Sequence, residues 1–174
     1  MPVYGARDWR TGTNERTASS YSIRATPGAT MSELTLHDLS KKMAKLDFAM
    51  LTTTTSSGNL TSRPMSNNGD VEYDGDSYFF AYEQSKKIAE IRADSAVGLT
   101  YTGAVGMLGG SPLFVGVEGS ATLITDKATF KDHWTKDLDR YFPEGIDTPG
   151  VVMIRVTAKT IRYWDGSDEG QISL

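Results

Sequence analysis

The chain contains no cysteine. That single absence excludes disulfides, thiolate zinc sites, iron–sulfur clusters and cysteine nucleophiles. Histidine is almost as scarce: His37 and His133 are the only two in 174 residues, so a multi-histidine metal centre is not expected. No run approaches the roughly 20 apolar residues of a membrane-spanning helix. The first 30 residues hold Arg7, Arg10, Arg16 and Arg24 but no apolar block of the kind a secretory signal needs. Cations are not in excess either. With a net charge of −4 and a pI near 5.2, neither a nucleic acid nor a membrane surface is an expected partner. The lack of cysteine agrees with a cytoplasmic location, which is the expectation here. Motifs of hydrolases, P-loop enzymes and metalloproteases are missing as well.

What is present divides at Met31. Residues 1–30 carry four arginines against Asp8 and Glu15, a net of +2, whereas residues 31–174 carry a net of −6. The first segment is rich in Thr, Ser and Gly without apolar periodicity, which predicts a loosely ordered tail. Its Tyr4, Trp9, Tyr21 and Ile23 leave open a role as a basic arm. Residues 31–174 read as one domain, large enough to bury a core without staples.

Within that domain, Leu36, Leu39, Met43 and Leu46 recur at helical spacing behind a Thr35–Asp38 capping pair. Strands are predicted at 48–55 and 60–66, joined by the turn Ser56–Asn59. Pro64 cannot donate to a ladder, so the second of them has an edge or an interruption there. A hairpin is read at 71–82 around Asp74-Gly75-Asp76, then a helix from Ser85 to Ala93 and a strand at 96–101. Gly119 predicts a bulge within 113–125. A helix is expected over 126–140, from Phe130, Trp134, Leu138 and Tyr141, and strands at 151–156 and 160–164. Strands dominate and never alternate regularly with helices. The expected class is mainly β (α+β), an antiparallel barrel with peripheral helices.

Few residues advertise chemistry. His37 beside Asp38, and His133 beside Lys131 and Asp132, both read as solvated helix-face histidines. One segment differs: Ser85-Lys86-Lys87 opens a helix straight after the apolar strand that ends at Tyr82. A helix start has unpaired N–H groups and a positive dipole end, so a cation there is disfavoured by a few tenths of a kcal/mol unless an anion compensates. Ser85 can cap the helix or face a phosphate. Arg63, in a strand of small and apolar residues, could grip the same phosphate through its planar fork. Lysines at a solvated helix start and an edge-strand arginine in water are the alternatives.

From about Leu36 to Asp165 the chain resembles the FMN-binding split barrels of the pyridoxamine 5′-phosphate oxidase-like superfamily, in particular the bacterial general stress protein branch. The matching pieces, in order, are Phe48-Ala-Met-Leu-Thr-Thr53, Ser62-Arg-Pro-Met65, Asp74-Gly-Asp76 and Tyr78-Phe-Phe80. They continue with Ser85-Lys-Lys-Ile88, Gly119 to Asp126, Phe142-Pro-Glu-Gly145 and Tyr163-Trp-Asp165. The resemblance implies an antiparallel split β-barrel that holds FMN, with FAD or riboflavin as alternatives at the same site. It implies that Arg63, Lys86 and Lys87 grip the flavin phosphate, with Ser85 capping the phosphate-binding helix. Phe80 and Ala81 would lie along the ring, and Pro64 and Met65 beside it. Trp134, Phe142 and Trp164 would add aromatic walls. It further implies a homodimer with the flavin at the interface. The unbroken apolar run Val151-Val-Met-Ile154 is read as a strand whose two faces need a partner to cover them.

One departure bears on activity. The vitamin-processing oxidases carry an arginine and a histidine in their last strand, and those places fall on Gly170 and Ile172 here. Pyridoxamine 5′-phosphate oxidase activity is therefore not expected. The functional expectation is a flavin-binding general stress protein, with a flavin-dependent oxidoreductase of unknown substrate as the alternative.

Overall fold

The computed structural model of the chain describes residues 34–67, 72–103, 111–166 and 168–174. The expected tail at 1–30 and most of the glycine-rich loop at 102–111 lie outside the described residues.

A short helix, α1 (Leu36–Met43), opens the domain. Its capping box forms as the sequence predicts: Thr35 Oγ1 accepts from the Asp38 N–H at 3.1 Å, and the Asp38 carboxylate accepts from the Thr35 N–H. The Thr35 hydroxyl, which donates to the Asp38 carboxylate at 2.6 Å, and then the Thr35 N–H hold that carboxyl below its ordinary value. Strands β1 (Phe48–Thr54) and β2 (Leu60–Ser66) form the expected hairpin, with Met50 opposite Pro64 and Leu51 opposite Arg63. Next come β3 (Asp76–Tyr82), α2 (Lys86–Ala93), β4 (Ala96–Thr102) and β5 (Leu113–Ile124). After α3 (Lys127–His133) and a 3-10 turn at Lys136–Arg140, the chain closes with β6 (Val151–Asp165) and β7 (Asp168–Ser173).

Every pairing is antiparallel, in the order β2-β1-β4-β5-β6-β3, with β7 beside the far half of β6. The sheet curls but does not close, because β2 and β3 end the order and do not pair. It is a mainly β, α+β fold: an antiparallel split barrel with peripheral helices. No described helix is long and apolar enough to cross a membrane.

The bulge falls where Gly119 predicts it, with the β5–β6 register shifting between Glu118 and Gly119. A Cβ on Gly119 would overlap the Thr157 carbonyl oxygen, so the close approach of the two backbones requires glycine.

Three expectations are corrected. Glu72 and Tyr73 are not in a strand; β3 pairs with β6 instead of forming a local hairpin. The helix expected over 126–140 stops at His133, and Trp134 and Thr135 are extended. Asp126 caps it through the Ala128 and Thr129 N–H groups. Its apolar residues must follow a curved sheet, and the break turns Trp134 onto Phe80 and Phe142, with ring centroids 4.7 and 5.5 Å away. Finally, one chain covers both faces of Val151–Ile154. Val152 and Ile154 join the barrel interior with Leu51, Leu99 and Val117, while α2 adds Ile88 and Ile91. Val151 and Met153 join a second cluster with Phe80, Phe130 and Phe142. All four are buried. Alternate side chains of a strand point to opposite faces, so a run without a polar break is what a strand between two layers requires.

Candidate functional site: a cleft between two open strand edges

Because β2 and β3 remain unpaired with each other, a cleft of about 820 Å³ opens between them. That volume lies in the upper part of the range for small-molecule sites, roughly 300–1,000 Å³. Pro64 and Met65 line it from β2, and Tyr78 to Tyr82 from β3. Ser85 and Lys87 close one end, and His133 with the segment around the 3-10 turn forms a further wall. An edge strand presents backbone N–H and C=O groups that no neighbour satisfies. Pro64 offers no N–H, so on the β2 side the wall is partly apolar.

The end at α2 has anion-binding character. Ser85 is the N-cap residue, with φ −71° and ψ 145°, yet its side chain makes no capping bond. Its Oγ is buried and has no hydrogen-bond partner among the described residues. An unsatisfied buried hydroxyl costs about 1–3 kcal/mol, and an acceptor on a bound group relieves it. The first turn of α2 holds no acid. Lys87 is half-buried, and burial, then the nearby Arg63 charge, pulls its amine below the ordinary lysine value; Glu90 acts in the opposite direction. No carboxylate among the described residues forms an ion pair with it.

Arg63 is committed differently. Its Nη2 donates to Glu90 Oε2 at 2.8 Å, and its Nη1 donates to Thr53 Oγ1 at 2.6 Å and to the Leu51 carbonyl at 3.3 Å. Thr53 Oγ1 in turn donates to the same Glu90 oxygen at 2.6 Å. The side chains of Arg63 and Glu90 are only 19% and 13% exposed. This network ties α2 to β1 and β2, and sets a positive charge behind Lys87.

Seven predicted site residues therefore meet in one cleft: Pro64, Met65, Phe80, Ala81, Ser85, Lys87 and Phe142. Arg63 stands beside it, engaged with Glu90. Lys86 is exposed and does not line it. Trp134 backs the cleft from behind Phe80, donating its Nε1–H to Asp139 Oδ1 at 3.0 Å. Trp164 lies elsewhere, 43% exposed on the outer face of β6 opposite Phe114. Sequence reasoning missed Tyr78, Tyr82 and His133. The two tyrosines share the face of Phe80 by strand alternation, a signal available in the sequence. Tyr82 Oη donates to the Tyr141 carbonyl at 3.1 Å and so fastens the two walls.

At the other end of the chain, Gly170 lies under the Tyr163 ring, and a Cβ there would overlap the Tyr163 Oη. Tyr163 is itself fixed, accepting from the Leu34 N–H at 2.9 Å. Ile172 pairs with Ile161 and packs against the barrel core. Neither residue is the cation that a phosphorylated vitamin substrate needs, and at Gly170 the Tyr163 ring leaves no room for a side chain. Among the described residues no cluster of three His, Asp or Glu side chains could hold a metal ion.

The pyridoxamine 5′-phosphate oxidase-like family model matches residues 35–174. The chain belongs to that family. Solved structures with the same fold include general stress protein 26 from Bacillus anthracis, 23% identical, with a TM-score of 0.62 over 78% of this chain and 98% of that one. A Clostridium acetobutylicum protein related to general stress protein 26 is 15% identical, with a TM-score of 0.66 over 80% of this chain and 94% of the other. A haem-binding protein from Mycobacterium smegmatis is 10% identical, with a TM-score of 0.62 over 80% of this chain and 58% of the other. No curated protein matches the chain. This pyridoxamine 5′-phosphate oxidase-like protein thus shares its fold with all three.

Proposed function

We propose that the cleft binds a flavin, with FMN as the ligand, and that the protein is a flavin-carrying member of the general stress type. The carrying observation is the pairing of an orphaned Ser85 hydroxyl with a half-buried Lys87 amine that has no ion pair among the described residues, at the start of α2 and at one end of a cleft long enough for a fused ring. Ser85, Lys87 and the first-turn N–H groups would hold the phosphate, and Arg63 would reinforce the positive field from its place on Glu90. Phe80 and Ala81 would offer the β3 edge to the ring, with Pro64 and Met65 facing it. A bound flavin would supply reversible two-electron chemistry; these residues bind, orient and exclude water.

A second copy of the chain fits the reading. Phe48, Met50, Phe114 and Trp164 are 54%, 41%, 41% and 43% exposed on the outer face of the sheet, flanked by Thr100 and Gly116. Phe48 also lines the cleft, so that apolar face runs into its mouth. A homodimer through this face would bury it, and would bring Trp164 to the partner's cleft. The oxidoreductase reading is favoured by one observation: an imidazole and a phenol, His133 and Tyr78, stand in the cleft. Oxidation of pyridoxamine 5′-phosphate is not proposed, because Gly170 and Ile172 supply no cation for its phosphate.

Absorption and fluorescence titration with FMN, riboflavin, FAD and haem tests this. Saturable FMN binding, at least tenfold tighter than riboflavin, is expected. Equal affinity for FMN and riboflavin would remove the phosphate grip, and preferential haem binding would replace the flavin reading.

A further inference from the structure

Glu90 stands in the middle of α2, where a lone acid reads as a solvated helix position, yet its side chain is buried to nearly nine-tenths, with 13% exposed. A carboxylate taken out of water is costly unless it is paired and hydrogen-bonded. We propose that Glu90 is the positioning residue of the cleft's phosphate end: together with Thr53 it holds one end of the Arg63 guanidinium, so that the other edge of that guanidinium is presented to the phosphate of a bound flavin. The inference rests on the flavin reading above and goes beyond it, because that reading asks of Arg63 only its positive field.

Donor accounting is the first support. A guanidinium carries five N–H donors in one rigid plane. Arg63 Nη1 donates to Thr53 Oγ1 and to the Leu51 carbonyl, and Nη2 donates to Glu90 Oε2. Thr53 Oγ1 donates in turn to that same Glu90 oxygen. Arg63, Thr53 and Glu90 thus close a ring of hydrogen bonds across the Nη1–Nη2 end. The Nε–H and the second Nη2–H have no partner among the described residues. Those two N–H groups lie parallel along the remaining edge of the plane, the arrangement that takes two oxygens of one phosphate. Nε is not among the buried unpartnered atoms of the described residues, so it keeps access to solvent.

Location is the second. Arg63 directly precedes Pro64 and Met65, which line the cleft, and its charge acts on Lys87, which lines it too. Glu90 lies three residues beyond Lys87 on the same helix, a spacing that puts both on one face. One carboxylate therefore serves two cations. It is hydrogen-bonded to Arg63 and favours the charged form of Lys87. Thr53 is 1% exposed on β1, so both holders of the guanidinium are themselves fixed, and Arg63 has one orientation instead of many.

Fluorescence titration of the full chain and its variants with FMN and riboflavin tests this. The riboflavin arm reports general damage to the cleft. Glu90→Ala is expected to weaken FMN by about tenfold or more and to leave riboflavin within a few-fold. Glu90→Gln keeps an oxygen that accepts from Arg63 and Thr53, and is expected to recover FMN affinity to within a few-fold of the unsubstituted chain. A Glu90→Ala chain that binds FMN as tightly as before, or more tightly, would overturn the inference, because the carboxylate would then only oppose the phosphate. Equal losses of FMN and riboflavin, or a Gln variant as weak as the Ala variant, would overturn it as well. If Glu90→Ala does not fold, the unsubstituted protein provides the second readout. With arginine isotope-labelled for NMR and Arg63→Lys to assign the signal, the Arg63 Nε–H resonance is expected to move downfield on adding FMN and to stay in place with riboflavin. An unmoved Nε–H with FMN demonstrably bound would overturn this inference and spare the flavin reading. Failure of FMN to bind, seen separately in the absorption titration, would overturn both.

Discussion

The two halves of β6 receive opposite treatment on their outer face. Val151 and Met153, near its start, are covered by Phe130, Phe142 and the partly buried Trp134 from the α3 region. Arg162 and Trp164, near its end, are exposed; Arg162 reaches Glu118 at 2.8 Å, and Trp164 stands beside exposed Phe114. An unbroken apolar run therefore marks the half that the chain buries by itself. The alternating half is where large apolar side chains stay exposed, and there a partner has something to cover. Buried run and proposed association surface are different parts of one strand.

Charge substitution separates the two halves most sharply. Met153→Asp places a carboxylate at a fully buried position. It is expected to destabilise by more than about 4 kcal/mol, or to prevent folding, in thermal or urea unfolding. Val152→Asp belongs to the same class. Trp164→Glu is expected to leave the chain's fold intact but to weaken self-association about 100-fold or more, read by light scattering across a dilution series. A Trp164→Glu protein that dimerises normally would move the interface away from this face.

Within the cleft, Lys87→Ala comes next in size. A charge-assisted contact is worth roughly 1.5–3 kcal/mol, which is about one to two orders of magnitude in FMN affinity, with riboflavin nearly unaffected. Loss of both ligands together would mean that Lys87 shapes the site rather than holding the phosphate.

The smallest effect is a pH dependence. The Lys87 amine lies below its ordinary value in the folded chain. The unfolded chain then binds more protons in the window between the lowered value and the ordinary one, so this group's contribution to stability rises with pH across that window. A bound phosphate reverses the sign by favouring the charged amine. FMN affinity is expected to fall by a few-fold as pH rises through the same alkaline window while riboflavin affinity stays level. Parallel profiles for the two ligands would argue against Lys87 as the phosphate's partner.

Local chemistry decided much of this protein without help from tertiary contacts. Thr35 and Asp38 cap α1 because their side chains reach N–H groups within three residues. Ser56–Asn59 turns β1 into β2, and Gly119 marks a bulge because no other side chain fits against Thr157. The proposed anion end of the cleft was legible for the same reason: Ser85 and Lys87 sit on one turn of one helix, where spacing alone puts them together. Other features depended on residues far apart in the chain. That β3 pairs with β6 rather than with a local hairpin strand is a contact across about seventy residues, and no turn signal encodes it. The break after His133 follows from the curvature of the sheet that α3 covers, which is set by strands on both sides of it in sequence. Arg63 shows the limit most plainly. Its strand and its charge were readable, but its commitment to Glu90 and Thr53 depended on three separate elements meeting inside the barrel end. His133 passed from helix surface to cleft wall by the same route, because Tyr78 was brought against it by the fold and not by the sequence around it.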